Sequence, residues 1–163
     1  MKYKTILADP PWQYRQTGVK GNVKNQYETM KTQDICNISF IPEISDKDCT
    51  LFLWATIPCL PDGFQVMKAW GFEYKTLITW VKTRCLGMGF WFRTQQEVCL
   101  LGIKGKIKAF NLQVPNLFFA SRTKHSRKPE RFFQLIDPII PRPAIELFAR
   151  EKRDGWDAWG NEI

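Results

Sequence analysis

The sequence contains few of the residues that metal sites and disulfide frameworks require. His125 is the only histidine, and the five cysteines form no Cys-x-x-Cys pair. Zinc sites use Cys and His at short spacings, and small secreted scaffolds use cysteines at higher density. These absences argue against a metal centre and an exported disulfide scaffold. They favour the reducing cytoplasm, and the compact chain suggests a prokaryotic or phage-encoded protein acting in the host cytoplasm.

Two glycine-rich signatures and any long apolar segment are also missing. The chain has no G-x-G-x-x-G sequence, which disfavours a nicotinamide-dependent enzyme, and no G-x-x-x-x-G-K-[ST] sequence, which disfavours an NTPase. The N-terminus lacks a sustained apolar segment, and no run approaches the length needed to span a bilayer. The sequence therefore predicts a protein that is neither exported nor embedded in a membrane.

Positive charge is in excess. The 163 residues predict one domain over 1–163, and 24 Lys and Arg against 16 Asp and Glu give a net charge of +8. The excess is clustered at Lys104, Lys106 and Lys108 and at Arg122, Lys124, Arg127, Lys128 and Arg131. Such a balance favours a polyanionic partner. A basic surface that serves solubility alone is the alternative.

Apolar runs and helical periodicity alternate along the chain. The patterns predict strands at residues 3–8, 50–56, 75–81, 98–103, 117–120 and 144–148, and helices at 61–70 and 129–136. Alternation of this kind favours an α/β sheet covered by helices, parallel in the middle with an antiparallel strand at the edge. In such sheets ligands bind beyond the carboxyl ends of the strands.

The tetrapeptide Asp9-Pro10-Pro11-Trp12 ends the first predicted strand. The exocyclic amine of adenine is a poor nucleophile because its lone pair is delocalised, and two fixed acceptors aimed at its hydrogens favour the reactive form. The Asp9 carboxylate and the Pro10 carbonyl supply two such acceptors. Trp12 offers a flat ring on which an extruded adenine can stack. The alternative is an ordinary Asp-Pro turn after a strand.

Beyond the tetrapeptide, nine blocks of sequence match one family pattern in the same order along the chain. They are Ala-Asp-Pro-Pro-Trp at 8–12, Tyr-Glu-Thr-Met at 27–30, Leu-Phe-Leu-Trp at 51–54, Trp-Gly-Phe at 70–72, Trp-Val-Lys-Thr at 80–83, Glu-Val-Cys-Leu-Leu-Gly at 97–102, His-Ser-Arg-Lys-Pro at 125–129, Glu-Leu-Phe-Ala-Arg at 146–150, and Gly-Trp through Trp-Gly-Asn-Glu at 155–162. Together they resemble the DPPW-motif adenine N6-methyltransferase family, which includes the catalytic subunit of the messenger-RNA adenine methyltransferase and bacterial and phage relatives.

The resemblance implies a Rossmann-like sheet that binds S-adenosylmethionine, with helices on both faces. The motif order is permuted, so the strand that usually comes first and binds the cofactor comes late, at residues 145–148. The catalytic residues implied are Asp9, Pro10, Pro11 and Trp12. The cofactor-binding residues implied are Asp9, Lys128, Glu146, Phe148, Arg150, Asn161 and Glu162. A lysine suits a carboxylate, and amide or carboxylate groups suit ribose hydroxyls. The alternatives are a solvated helix start for Lys128 and a frayed terminus for Asn161 and Glu162.

On the acceptor side, the resemblance places five side chains at the adenine or its entrance: Tyr27, Trp54, Trp80, Lys82 and Glu97. Lys82 is expected to meet a phosphate. For Trp54 and Trp80 core packing is an equal alternative, because both end apolar runs. His125 is expected to be structural or to contact phosphate, since the chemistry requires no histidine base.

The sequence departs from the family at two places. Only eight residues precede Asp9, which suggests an open donor pocket or one completed by a second copy or a partner subunit. Residues 151–153 read Glu-Lys-Arg where the messenger-RNA enzyme has neutral or ring-bearing residues. We expect DNA rather than RNA as substrate. The alternatives are a catalytically idle nucleic-acid-binding subunit and an enzyme that methylates protein amides.

Overall fold

A computed structural model of the chain describes residues 1–14, 29–84, 87, 91–110, 113–122, 127–160 and 163. Its strands are β1 (Tyr3–Ala8), β2 (Ser45–Thr56), β3 (Glu73–Thr83), β4 (Gln96–Lys104), β5 (Leu117–Ser121), β6 (Ala144–Leu147) and β7 (Asp157–Trp159). Its helices are α1 (Thr32–Cys36), α2 (Ile41–Ile44), α3 (Leu60–Ala69) and α4 (Glu130–Ile136), with a 3-10 turn at Ile57–Cys59. The predicted α/β class is therefore present.

The seven strands form one sheet in the order β5-β3-β4-β2-β1-β6-β7. All neighbouring pairs are parallel except those of β4, which is antiparallel to both β2 and β3. The prediction of an antiparallel edge is therefore wrong, because the reversed strand is the third from one edge and both edge strands are parallel to their neighbours.

Aliphatic side chains dominate one face of the sheet. Ile6 and Ala8 of β1 and Leu51 and Leu53 of β2 point to this face, since alternate residues of a strand share a side. They pack with buried residues of α1, α2 and α3, which are Ile35, Ile41, Val66 and Met67. The α3 helix ends at Ala69, one residue before the predicted end, and the predicted stop residue Gly71 follows the C-cap with a φ of +81°, which suits a residue without a Cβ.

Aromatic side chains dominate the other face. Phe52 and Trp54 alternate with the two leucines of β2 and so point away from them, toward Phe132 and Phe133 of α4. The Trp54 and Phe132 rings lie 4.7 Å apart at 58°, and Phe132 and Phe133 meet edge to face. Helices therefore cover both faces of the sheet, as the sequence predicted.

Six strands run in one direction, so their carboxyl ends share one edge of the sheet. Because β4 runs the opposite way, its first residues lie at that same edge, with Glu97 opposite both Thr56 and Trp80. The edge thus collects the loop after β1, the end of β3, the start of β4 and the loop after β6. In open α/β sheets this is where ligands bind. Within the described ranges, no helix has the length and apolar character needed to cross a membrane.

Candidate active site

The Pro-Pro segment is fixed by backbone hydrogen bonds at the end of β1. The Trp12 N–H donates to the Pro10 carbonyl at 2.9 Å, and the Met30 N–H donates to the Pro11 carbonyl at 2.8 Å. The Gln13 N–H donates to the Met30 carbonyl at 3.1 Å, and Trp12 and Met30 form an isolated parallel bridge. The turn is therefore tied to the segment that begins α1, and the Pro10 carbonyl keeps one lone pair beyond the bond to Trp12.

The Trp12 ring is packed into the protein. Only 6% of the residue is exposed, and its indole N–H donates to the Trp54 carbonyl at 2.9 Å. The sequence suggested an open stacking face at this position, but the structure places the ring in the aliphatic core. Stacking of an adenine on Trp12 would therefore require this packing to open.

Four charged side chains form a continuous chain at the site edge, which we call the central network. The Lys128 ammonium lies 2.8 Å from the Asp9 carboxylate and 3.1 Å from the Glu97 carboxylate. The other Glu97 oxygen lies 2.5 Å from the Lys82 ammonium. The side chains are only 12–20% exposed, so the network is partly buried and carries two positive and two negative charges.

Burial and neighbouring charge act in opposite directions on the pKa values of this network. Burial acts to lower the pKa of Lys128, but the carboxylates of Asp9 and Glu97 outweigh it and raise that pKa. Burial acts to raise the pKa of Glu97, but the charge of Lys128 and the hydrogen bond from Lys82 lower it. Both groups are therefore held in their charged forms.

Trp54 and Trp80 lie under the two lysines of the central network. The Lys128 nitrogen is 5.0 Å from the centre of the Trp54 ring, and the Lys82 nitrogen is 5.2 Å from that of Trp80. The two indoles are only 1% and 3% exposed and meet edge to face at 6.4 Å. Both rings are therefore buried in this structure, as the alternative of core packing expected, and their predicted place at the border of the adenine stays a prediction. Their rings support the lysines through cation–π contacts.

The loop after β6 lies beside the loop after β1. The Asp9 N–H faces the Leu147 carbonyl at 3.5 Å, and Phe148 follows with a φ of +60°, which is uncommon for a residue other than glycine. The Phe148 ring meets Trp159 edge to face at 5.4 Å, and the Ala149 N–H donates to the Trp159 carbonyl at 3.0 Å. These contacts fix the backbone that leads to the predicted cofactor residue Arg150.

Among the carboxyl groups near the site, that of Glu146 on β6 has the most strongly shifted pKa. Burial and the negative charge of Asp9 raise its pKa from 4.5 to about 7, while the charge of Arg153 opposes this shift. The sequence-predicted residues Asp9, Lys128, Glu97 and Lys82 thus meet in one network, and Glu146 lies within electrostatic range of Asp9.

Four of the predicted positions lie outside the residues that the structure describes, namely Tyr27, His125, Asn161 and Glu162. In the part of the chain that the structure describes, no group of three or more His, Cys, Asp or Glu side chains could hold a metal ion.

Tyr14 lies beside the candidate site, and the sequence did not single it out. It is 48% exposed, and partial burial of its phenol raises its pKa, while a hydrogen bond with the Thr56 side chain acts against that shift. It also lines a groove with polar side chains of the neighbouring segments, namely Gln13, Lys31, Thr32, Gln33 and Gln65. An aromatic residue two positions after Trp12 was the available signal, but only the burial of Trp12 gives it weight.

A mostly parallel α/β sheet that gathers carboxylates, lysines and a rigid Pro-Pro turn at one edge defines a ligand-binding site of the Rossmann-like kind. The family profile described as MT-A70 matches residues 3–162. The chain therefore belongs to the MT-A70 family of S-adenosylmethionine-dependent adenine N6-methyltransferases, and the resemblance found in the sequence is confirmed.

Individual relatives agree with the family match. The chain is similar to the Type II methyltransferase M.MunI of a Mycoplasma species, with 34% identity over 99% of this chain and 78% of that protein. It is also similar to the human N(6)-adenosine-methyltransferase catalytic subunit METTL3, with 30% identity over 99% of this chain. It matches an Arabidopsis thaliana N(6)-adenosine-methyltransferase MT-A70-like protein at 29% identity. The chain spans only 28% and 24% of the lengths of these last two proteins.

Proposed function

We propose that this chain is an active methyltransferase that transfers a methyl group from S-adenosylmethionine to the N6 amine of adenine in nucleic acid, with DNA preferred over RNA. We further propose that residues 1–163 act as a single methyltransferase domain with the permuted Rossmann-like order. The observation that carries the proposal is the Asp9 carboxylate, fixed 2.8 Å from Lys128 where the ends of β1 and β6 meet.

The acceptor side of the reaction needs fixed hydrogen-bond acceptors. The Asp9 carboxylate and the remaining lone pair of the Pro10 carbonyl would accept the two amine hydrogens of adenine, which favours the localised lone pair. The Pro10 carbonyl is held by the Trp12 N–H at 2.9 Å, so it need not reorganise during the reaction. The amine proton is shed after attack on the methyl group, and Asp9 is the nearest base in this scheme.

Tyr14 supports the acceptor side more directly than Trp12 does. A base that leaves its stack needs an accessible ring, and Tyr14 is 48% exposed whereas Trp12 is 6% exposed. The groove beside Tyr14 carries amide side chains and Lys31, which suit base edges and phosphate. We therefore assign base stacking to Tyr14 in this proposal and a structural role to Trp12.

On the donor side, S-adenosylmethionine supplies a methyl group activated by its sulfonium charge. The Lys128 ammonium would hold the cofactor's carboxylate, and Glu146, Phe148 and Arg150 lie on the strand and loop expected to border the rest, with Asn161 and Glu162 as further candidates from the family pattern. One observation supports the fit. The central network pairs two ammonium groups with two carboxylates, so it offers charges of both signs to the carboxylate and the cationic groups of the cofactor. Lys128 would exchange one carboxylate partner for another on binding.

The net charge and the relatives both support a nucleic acid as the methyl acceptor. A net charge of +8 favours a polyanion. DNA is preferred because the chain covers 78% of a Type II methyltransferase from a Mycoplasma species, whereas it covers under a third of proteins named as adenosine methyltransferases. The same relative supports our proposal of action in a prokaryotic or phage-infected cytoplasm.

A catalytically idle subunit that only binds nucleic acid is the second candidate function. The intact Asp9-Pro10-Pro11-Trp12 segment and its contact with Lys128 argue against it, because a purely structural subunit has no need to retain a carboxylate in this position. Partner binding, as a homodimer or with another subunit, is compatible with either candidate.

The proposal is tested with purified protein, labelled S-adenosylmethionine, and unmethylated DNA or RNA. After digestion to nucleosides, we expect label in N6-methyladenosine of the DNA sample. A protein that labels no adenine in either polymer would contradict the proposal, and label in RNA alone would reverse the preference. Affinity for DNA should also fall steeply with salt if the basic clusters contact phosphates.

The role of Asp9 is tested with Asp9→Asn. We expect turnover to fall by about 100-fold or more, since one preorganised charged acceptor is lost, with DNA binding largely retained. The control is Asp34→Asn, an exposed carboxylate in the first turn of α1, which should leave turnover unchanged. Equal turnover of Asp9→Asn and the wild type would remove Asp9 from the reaction.

A further inference from the structure

Two segments on the donor side are joined by crossed ion pairs, which we call the peripheral network. Arg127, just before Lys128, lies 2.9 Å from Glu151 in the loop after β6. In the opposite sense, Arg153 of that loop places one nitrogen 3.1 Å from both oxygens of Glu130, the first residue of α4. Each segment therefore contributes one cation and one anion.

Arg153 is the central member of the peripheral network. Its side chain is 17% exposed, whereas those of Glu130, Glu151 and Arg127 are 47–59% exposed. Its guanidinium lies 3.6 Å from the centre of the Phe133 ring on α4, and it is 3.8 Å from Glu151. Arg153 thus packs against α4 through a ring and pairs with carboxylates of both segments.

A second contact aligns the same loop at the other end of α4. The Trp156 indole N–H donates to Asp137 at 2.8 Å, and Arg142 binds Asp137 at 3.1 Å and also contacts the Gly155 carbonyl. The loop is therefore held along the whole helix. A shift of α4 along its axis would break contacts at both of its ends.

The two joined segments carry the two parts of the proposed donor site. Lys128 lies between Arg127 and Glu130, and Phe148 and Arg150 come just before Glu151. No hydrogen bond of the sheet sets the distance between these segments, because residues 127–129 belong to no strand. Side-chain contacts therefore hold the spacing of Lys128 from Phe148 and Arg150: the ion pair of Lys128 with Asp9 on one side and the peripheral network on the other.

We propose that Arg153 is a positioning residue for the methyl donor: its pairs with Glu130 and Glu151, and its packing on Phe133, set the position of Lys128 relative to the loop after β6. The inference rests on the proposed function, because it concerns the binding of S-adenosylmethionine. Arg153 touches no reacting atom and acts through the segment that carries Lys128. Arginine suits this role because its planar fork binds carboxylates and stacks on a ring at the same time.

The test measures binding of S-adenosylhomocysteine, which does not react, by calorimetry. Arg153→Met keeps an apolar stem over Phe133 but removes the charge, and we expect about tenfold weaker binding. Arg153→Lys keeps the charge without the fork and should recover part of the affinity. Lys152→Met, which alters the exposed neighbouring residue, is the matched control and should bind within about twofold of wild type.

Two further measurements separate positioning from general destabilisation. In a double-mutant cycle with Glu130→Gln, the losses in analogue affinity should not add, because both changes remove the same pair. The unfolding midpoint of unliganded Arg153→Met should stay within about 4 °C of wild type, as expected for a small change in stability. The positioning role would be overturned if variants lost affinity only in proportion to their drop in unfolding midpoint. It would also be overturned if the affinity losses of Arg153→Met and Glu130→Gln added up in the double mutant.

The remaining outcomes are distinguishable. If wild type and Arg153→Met bind the analogue equally, the inference is wrong while the proposed function stands. If wild type binds no analogue, the proposed function fails and the inference fails with it. The affinity of wild type for the analogue should fall toward that of Arg153→Met when salt is raised from about 50 mM to about 500 mM. This result would support an electrostatic origin of the contribution of Arg153 to binding.

Discussion

The central and peripheral networks use the same kinds of side chain in different surroundings. Asp9, Lys128, Glu97 and Lys82 are 12–20% exposed and rest on buried indole rings. In the peripheral network, every side chain except Arg153 is about half exposed. Water therefore screens the charges of the peripheral network more strongly than those of the central network.

This difference predicts separate roles for the two networks. Removing one partner from a buried ion pair leaves an uncompensated charge, which is strongly destabilising, whereas an exposed pair contributes little to folding. We therefore expect changes in the central network to affect folding and, if the proposed function holds, turnover as well. We expect changes in the peripheral network to affect cofactor binding with little effect on stability.

The largest effect is expected for Lys128→Met. Two partly buried carboxylates, Asp9 and Glu97, would lose their shared cation, and we expect the free energy of unfolding to fall by about 3 kcal/mol. For a chain of this length the unfolding midpoint should drop by roughly 6–12 °C, measured by circular dichroism. Adding Glu97→Gln should recover part of the loss, because one of the unpaired charges is then absent.

The matched control is Lys75→Met, which removes an exposed partner of Glu73. Their side chains are 42% and 74% exposed, so we expect a change below about 0.5 kcal/mol. Equal destabilisation by Lys75→Met and Lys128→Met would mean that burial does not distinguish the two lysines.

An intermediate effect is expected from Glu146, which lies within range of both networks. Its pKa is raised from 4.5 to about 7, so the folded chain holds a proton that the unfolded chain releases. The contribution of Glu146 to the free energy of unfolding is fully present below about pH 4.5 and is lost as the pH rises through about 7. We expect wild type to lose about 2 kcal/mol relative to Glu146→Gln across this range.

The measurement is urea unfolding of both proteins at several pH values. Only the difference between the curves reports on Glu146, because other carboxyl groups titrate in the same range. Parallel curves for wild type and Glu146→Gln would show that the carboxyl group has an ordinary pKa.

The smallest effect is expected for Arg127→Gln. This change breaks the half-exposed pair with Glu151, and we expect stability to fall by less than about 1 kcal/mol, an effect that high salt should abolish. Thermal unfolding at low and high salt checks this. A loss as large as that of Lys128→Met, or one that salt leaves unchanged, would contradict the contrast between the networks.

Much of the fold could be predicted from periodicity. The first strand was predicted with its observed bounds, and the helix ending before Gly71 and the late strand beside β1 were also identified correctly. The short α1 and α2 helices and β7 were missed, because three to five residues hold too few periods to give a pattern. The central place of β4 was missed because strand order depends on tertiary pairing rather than on local composition.

Some residues of the candidate site could be predicted from the sequence, and others could not. Asp9, Lys128, Glu97 and Lys82 stand in recognisable motifs, and the structure brings them together. The burial of Trp12, Trp54 and Trp80 could not be predicted, because an indole in a motif looks the same whether it faces a pocket or the core. The pair of Arg153 with Glu130 joins residues 23 positions apart and has no periodic signature.

The hydrogen bonds between the Trp12 segment and Met30 bear on how well the chain tolerates changes between them. Pro11 and Gln13 both bond to Met30, so the two ends of this stretch are joined to each other. Lengthening a loop whose ends are already joined adds little entropy cost. We therefore expect that residues 15–28 can be lengthened or exchanged without displacing Asp9.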